Sequence, residues 1–262
     1  MKLQGPYFMR WAELDVKFQR PIRWIVSLLD DKEVKIKIAE VESGRYSRGH
    51  RFKSDKVEIK NPDSYADALF EANVMADQDK RQQHVIEAAK KKAAEIGADV
   101  YLDDDLVEEV TNLCEWPVPV ICGFDEKYLT IPDKVTVTVM AVHQRYFPIY
   151  KDGKLLNKFI TMTNYIGNEF ENIKAGNERV VVARLDDAIF FFNEDTKKPF
   201  ADNVEKLKGI TFQKGMGSVY DKTMRIIELS KYLSDELKLS NSDTIERTAL
   251  LCKADLVTSL VF

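Results

Sequence analysis

Scarcity narrows this chain before any motif does. Its 262 residues include only three cysteines, Cys114, Cys122 and Cys252, and three histidines, His50, His84 and His143. An odd cysteine count without a close pair argues against a disulfide framework and for a reducing cytosol. No CxxC or HExxH spacing is present, and histidines this scattered form no metal-ligand pattern. No apolar run approaches the length that crosses a bilayer, and the N-terminal MKLQGPYFMRW lacks the apolar core of a secretory signal. Gly215-Met216-Gly217 lacks the third glycine and the preceding strand of a phosphate loop, and there is no nucleophile elbow. The expectation is a cytoplasmic chain without a metal, a cofactor or a catalytic residue of its own.

What is present is an ordinary globular balance, with 45% apolar and 31% charged residues and a net charge of −4. That charge argues against a protein that coats nucleic acid indiscriminately, but local patches count for more than the total. The segment from Ser43 to Lys53 carries Arg45, Arg48, Arg51 and Lys53 with no acid among them, whereas Asp103 to Glu109 is acidic.

Hydrophobic periodicity suggests an α+β organisation with a mixed or antiparallel sheet. Arg20 to Leu29 alternates like a buried strand, turns at Asp30-Asp31-Lys32, and pairs with Glu33 to Glu42; Val57 to Lys60 reads as a further strand. Asn61-Pro62-Asp63 is a helix start, with a capping residue followed by proline and an acid. Helices are expected from Asp77 to Gly97, with Val85, Ala89, Ala93 and Ile96 as the apolar stripe, and from Asp104 to Leu113. Val118 to Phe124 reads as an edge strand because Pro119 cannot donate to a ladder. The stretch after Pro132 fits strand and helix periods, and helix is preferred. Asp152-Gly153 joins a hairpin from Tyr146–Tyr150 to Leu155–Asn164. Helices then run over Gly176–Asn193, over Val219–Leu237 with Ile226, Leu229, Leu233 and Leu237 on one side, and over Ser240–Phe262, with no strand signal after the hairpin. A boundary near Lys208 divides an α+β region (1–208) from the start of an all-helical one (209–262). Leu256, Leu260 and Val261 form an apolar stripe with no stop signal after it, which favours truncation over a C-terminal helix that docks fully.

Three segments carry candidate chemistry. Arg45, Arg48, His50 and Arg51, interleaved with glycines and aromatics, suit phosphates and splayed bases, or form a solvated loop. If this segment is extended, Arg45, Ser47, Gly49 and Arg51 share a face and Arg48 points away, with one arginine free to pair with Glu40 or Glu42. His143 and Arg145, beside Gln144, Tyr146 and Phe147, bind RNA or cap and pack a helix-to-strand junction. Glu178, Arg179, Arg184 and Asp187 fit an ion-pair network along one helix, while Asp186 and Asp187 point to different faces and make a poor acid–base pair.

These segments also carry a resemblance. MRW at Met9–Trp11, RPIRWIVSLL at Arg20–Leu29, GHRF at Gly49–Phe52 and EWPVP at Glu115–Pro119 resemble the beta-subunit family of bacterial glycyl-tRNA synthetases. So do HQRYFP at His143–Pro148, GNERVVVARLDDAIFF at Gly176–Phe191, KGMGSVYDKTMRI at Lys214–Ile226 and KADLVTSLVF at Lys253–Phe262. The resemblance implies that this is an internal piece of a longer beta subunit, and that the assembly is an alpha2–beta2 ligase that joins glycine to its tRNA with ATP and Mg. The adenylate-forming site then belongs to the alpha subunit, while the beta subunit supplies tRNA binding and architecture. It further implies an N-terminal part similar in fold to the editing domain of the phenylalanyl-tRNA synthetase beta subunit, followed by an HD-like helical domain. The expected partners are the alpha subunit, a second beta subunit and tRNA-Gly. An editing hydrolase and an HD-type metal phosphohydrolase are the alternatives. Against editing, glycine has no smaller rival, and editing answers discrimination limits of about 1–3 kcal/mol per methylene. Against metal phosphohydrolysis, Lys253-Ala254-Asp255 stands where a His-Asp pair is expected, and no histidine follows His143.

Overall fold

The computed structural model describes residues 7–11, 13, 14 and 16–261. The N-terminal segment read from Met1 lies partly outside that range, and Phe262, the last residue of the expected final helix, lies outside it. The chain divides into two compact units, one of Met1–Gly123 with Gln144–Asn177 and one of Phe124–His143 with Glu178–Phe262. The boundary expected after Lys208 falls inside the second unit.

The first unit is built on an antiparallel four-stranded sheet, ordered Asp99–Val100, Phe147–Lys151, Lys154–Thr163, Val118–Gly123. Val118–Gly123 lies at the edge, where Pro119 is tolerated. The central hairpin turns at Asp152 and Gly153, both with positive φ (50° and 75°), the geometry that matches strand twist and that Asp-Gly adopts readily. Helices α1 (Tyr65–Glu71), α2 (Gln78–Ala94) and α3 (Asp104–Leu113) precede and flank the sheet. Each starts as the caps dictate: Asn61 and Ser64 form a capping box on the 3-10 turn before α1, Asp77 caps α2, and Asp103 caps α3. The faces of α2 (Val85, Ala89, Ala93) and α3 (Leu106, Val107, Val110) are buried, as are Phe147, Ile149, Phe159 and Ile160 of the sheet. Tyr146 stacks on Phe159 with centroids 4.7 Å apart, and its hydroxyl donates to Asn177 Oδ1 at 2.6 Å.

The N-terminal part differs from its expectation. Arg20–Leu29 is not one buried strand. It makes two short strands, Ile25–Val26 and Leu28–Leu29, and Trp24 is 42% exposed. Ile25–Val26 pairs in parallel with Ser43–Gly44, a non-local pairing that a hairpin reading misses. Tyr46–Arg48 pairs with Lys56–Glu58, with Ser47 buried and its neighbours exposed. The alternation is real but its phase is opposite to the expected one, so Arg48 faces out.

In the second unit, α4 (Asp133–Thr138) runs into a π-helical turn, Val139–His143. The helix preferred after Pro132 therefore forms. Helix α5 (Glu171–Thr196) is longer than expected and places Val181, Leu185 and Ala188 in this unit's core. Tyr128, 1% exposed, donates its hydroxyl to Asp186 Oδ1 at 2.6 Å. After the short α6 (Asn203–Lys206), Thr211–Gln213 pairs with Gly217–Ser218 in a small hairpin whose Gly215 and Gly217 have positive φ. That hairpin corrects the expectation of no further strands. Ser218 then caps α7 (Val219–Glu236) through a reciprocal box with Asp221. The final helix is also shorter than expected: α8 (Ser242–Leu251) stops, and Ala254–Val257 is a 3-10 turn. The Asp195 carboxylate accepts from the amides of Ser259 and Leu260 (2.9 and 3.0 Å), holding the segment beyond in a non-helical course.

Candidate nucleic-acid interface

The arginine-rich segment runs through the strand Tyr46–Arg48 into a tight loop in the first unit. The loop's first residue is Gly49, where a Cβ would meet Ala72 and Ser54 Cβ atoms at 2.6 Å, so only glycine allows this approach. His50 fixes the loop. Its amide donates to Ala72 O at 2.8 Å, and its carbonyl accepts from Lys53 and Ser54 amides. Its ring is 5% exposed. Nε2 lies 2.6 Å from the Asn164 carbonyl, which only accepts, and Nδ1 accepts from the Phe52 amide at 3.3 Å. Those partners require the neutral tautomer with hydrogen on Nε2. His50 therefore positions the loop from beneath and does not face solvent.

Asn164 also works on the opposite wall. Its Oδ1 accepts from the amides of Glu115 and Trp116 at 2.9 and 3.0 Å. One residue at the end of the long strand thus ties the 49–54 loop to the Glu115-Trp116 turn. Between these walls is a cleft of about 580 Å³, lined by Arg23, Trp24, Arg48, Gly49, Arg51 and, on its acidic side, Asp55 and Glu115.

The arginines divide by partner. Arg45 is drawn away: Nε pairs with Glu33 at 3.2 Å and Nη2 donates to Asp31 O at 3.0 Å. Hydrogen bonds from Lys35 and then Arg45 hold the Glu33 carboxyl below its ordinary range. The expected partners, Glu40 or Glu42, are replaced by Glu33, on the short strand Lys32–Glu33 that pairs antiparallel with Leu28–Leu29. Arg48 pairs with Asp55 at 3.1 Å and lies 6.0 Å from the Trp24 ring centroid. Arg51 lies 5.7 Å from the ring of Phe52, which is 83% exposed. Among the described residues, neither Arg23 nor Arg51 makes an ion pair.

The other sequence-selected residues go elsewhere. Arg145, with φ of 59°, pairs with Glu109 at 2.7 Å in the first unit. His143 belongs to the second unit, where it lines a cleft of about 530 Å³ with Lys134, Arg184, Asp187 and Phe191. Glu178, Arg179, Arg184 and Asp187 all lie on α5, and Arg179, Arg184 and Asp187 are exposed. His84 is half-buried, with Nε2 against Pro117 O at 3.1 Å. Among the described residues, no three His, Cys, Asp or Glu side chains converge as a metal site, and no helix is long and apolar enough to cross a membrane.

The profile of a family described as glycyl-tRNA synthetase beta subunit matches residues 1–262. The chain belongs to this family. It is 42% identical over 274 residues to the glycine–tRNA ligase beta subunit of Trichodesmium erythraeum, covering 100% of this chain and 38% of that one. It is 43% identical over 259 residues to the beta subunit of Clostridioides difficile, covering 98% of this chain and 38% of that one. The chain thus spans about two fifths of the length of these beta subunits. Three of the segments that carried the family resemblance, Arg20–Leu29, Gly49–Phe52 and Glu115–Pro119, meet at the Trp24 cleft. The sequence pattern alone marks neither Trp24 nor Asn164 as a site residue. Trp24 hides in a strand-like alternation, and Asn164 is 114 positions from His50.

Proposed function

We propose that this chain is the part of a glycine–tRNA ligase beta subunit that holds and positions tRNA-Gly. The supporting observation is the Arg23–Trp24–Arg48–Arg51 cleft on a chain of that family, an exposed positive and aromatic surface in a protein of net charge −4. In this reading, glycine activation with ATP and Mg takes place on an alpha subunit, and the working assembly is alpha2–beta2. The chain by itself forms no glycyl-tRNA. The α+β part is read as a relative of the phenylalanyl-tRNA synthetase editing fold, with a functional division near Lys208 before an HD-like helical region. His143, Arg145 and α5 are read as architecture and as a secondary RNA contact.

The test is tRNA-Gly binding to the 262-residue chain across a salt series. Removing one cation from a duplex phosphate lowers the salt slope by about 0.9. Arg23→Ala with Arg51→Ala is expected to weaken binding and flatten the slope without changing thermal stability. Arg45→Ala, which breaks the Glu33 pair, is expected to leave the slope alone. Unchanged affinity and slope in the double variant would remove the cleft from the reading. Glycyl-tRNA formed by the chain with ATP and glycine alone would overturn the division of labour.

A further inference from the structure

The geometry points to a narrower role for the same cleft: we infer that it is a subsite for one unstacked nucleotide of single-stranded RNA. This rests on the tRNA-binding reading and goes beyond it, because a duplex backbone would need only a broad positive surface. The cleft is instead a recess of about 580 Å³, within the ~300–1,000 Å³ span of small-ligand sites.

Its walls offer what one nucleotide presents. Trp24, 42% exposed, supplies an aromatic face. The Arg48 guanidinium, paired with Asp55 on one side and standing 6.0 Å from the indole centroid, offers a second plane. Bases stack on both kinds of plane whatever their sequence. Arg23 and Arg51, with no acid partner among the described residues, leave their donors for a phosphate. Glu115, on the wall facing the 49–54 loop, offers its carboxylate as an acceptor and favours a base edge that carries an amino donor, such as that of cytosine.

The walls are also preorganised. Asn164 holds the Glu115 turn by its side chain and the His50 loop by its carbonyl, and Gly49 packs without room for a Cβ. A ligand entering this recess orders little, so its interactions appear in the affinity. Charge alone would allow an acidic peptide, but such a peptide gains nothing from the Trp24 face. RNA is therefore the favoured occupant.

The experiment titrates the 262-residue chain with labelled hexacytidylate, hexauridylate, a stable RNA hairpin without overhangs, and hexaglutamate. Single strands are expected to bind more tightly than the hairpin, and cytidylate more tightly than uridylate. Trp24→Leu, which keeps apolar bulk but removes the ring, should weaken single-strand binding about tenfold, the effect of removing one base–aromatic stack, with an unchanged salt slope. Trp24→Phe should keep most of the affinity. Arg51→Ala should lower the slope by about 0.7. Glu115→Gln should erase the preference for cytidylate, and it carries the test with Arg51→Ala should Trp24→Leu fail to fold. Equal binding of hairpin and single strands, insensitivity to Trp24→Leu in a folded protein, or equal binding of hexaglutamate would overturn the subsite. If tRNA-Gly binding and its arginine-dependent slope survive that result, the tRNA reading stands without it. If they too are absent, both fall.

Discussion

The first unit buries Phe147, Ile149, Phe159 and Ile160 completely inside one antiparallel sheet, whereas the second leaves Leu229, Tyr232 and Leu233 of α7, and Leu237 just after it, between 47% and 66% exposed. Both stretches have clear apolar periodicity, yet only one turns it into core. A sheet strand between two partners, with helices packed on it, has its inward face covered by local topology. A helix has a stripe wherever its sequence puts one, and covering it requires a second element of matching shape. On α7 the buried positions are Val219, Thr223 and Ser234, not the leucine stripe. Periodicity locates an apolar face without saying what lies against it.

The comparison is broken most directly by paired truncations. Phe159→Ala removes a fully buried ring stacked on Tyr146, and loss of transfer energy plus a cavity is expected to cost about 3–5 kcal/mol. Leu233→Ala, on the exposed stripe, should stay within about 0.5 kcal/mol of the parent. Urea unfolding monitored on each variant decides it; a cost for Leu233→Ala close to that for Phe159→Ala would mean the α7 face is covered in solution.

Thiol chemistry sharpens the same contrast. Cys114 and Cys122 are buried in the first unit, and Cys252 is exposed in the second. Burial pushes the Cys114 thiol up to about 11 against the partial opposition of Arg81, from an ordinary value of 9.0. Two pKa units mean about a hundredfold less thiolate near pH 8, and the thiolate is the nucleophile. Iodoacetamide should therefore label Cys252 first, with Cys114 reacting only on unfolding or well above pH 9. Mass spectrometry of a time course checks this, and early modification of Cys114 would show that the first unit opens more readily than its packing implies.

What the sequence made legible was local. Asn61 and Asp77 cap at the expected helix starts, and Asp103 caps the helix expected from Asp104, because the cap is a short-range hydrogen bond within four residues of the helix start. Asp152-Gly153 turns where expected because two positive φ values suit that pair. The cleft was legible only in fragments. Its arginines stood out by charge, but their division into engaged and available groups depends on Glu33 and Asp55, which reach them through strand pairing. Ser47 faces inward because of the partner strand, so the expected exposed face was the wrong one. Asn164 and His50 meet only after the sheet is assembled, and no period in the chain encodes that meeting. The terminal helix was overextended for a similar reason, since Asp195, 64 residues before Ser259, captures its amides.

The smallest expected effect lies at a buried hydroxyl. In the first unit Thr111 Oγ1 donates to Val107 O at 2.7 Å, and on α7 Thr223 Oγ1 donates to Val219 O at 2.9 Å. Both satisfy themselves by bonding back one helical turn. Ser234, also on α7 and 2% exposed, has no partner for its Oγ among the described residues. A buried hydroxyl without a partner carries a penalty of about 1–3 kcal/mol. Ser234→Ala removes that group without creating a large cavity and substitutes the best helix former. The expected outcome is stabilisation by about 1 kcal/mol, seen as a higher urea midpoint with an unchanged slope. Thr223→Val, which deletes a hydroxyl that is bonded, should not stabilise. Loss of stability in Ser234→Ala would mean that this hydroxyl is satisfied in solution, by water or by its own helix, and that the α7 environment is wetter than the packing around Ser234 implies.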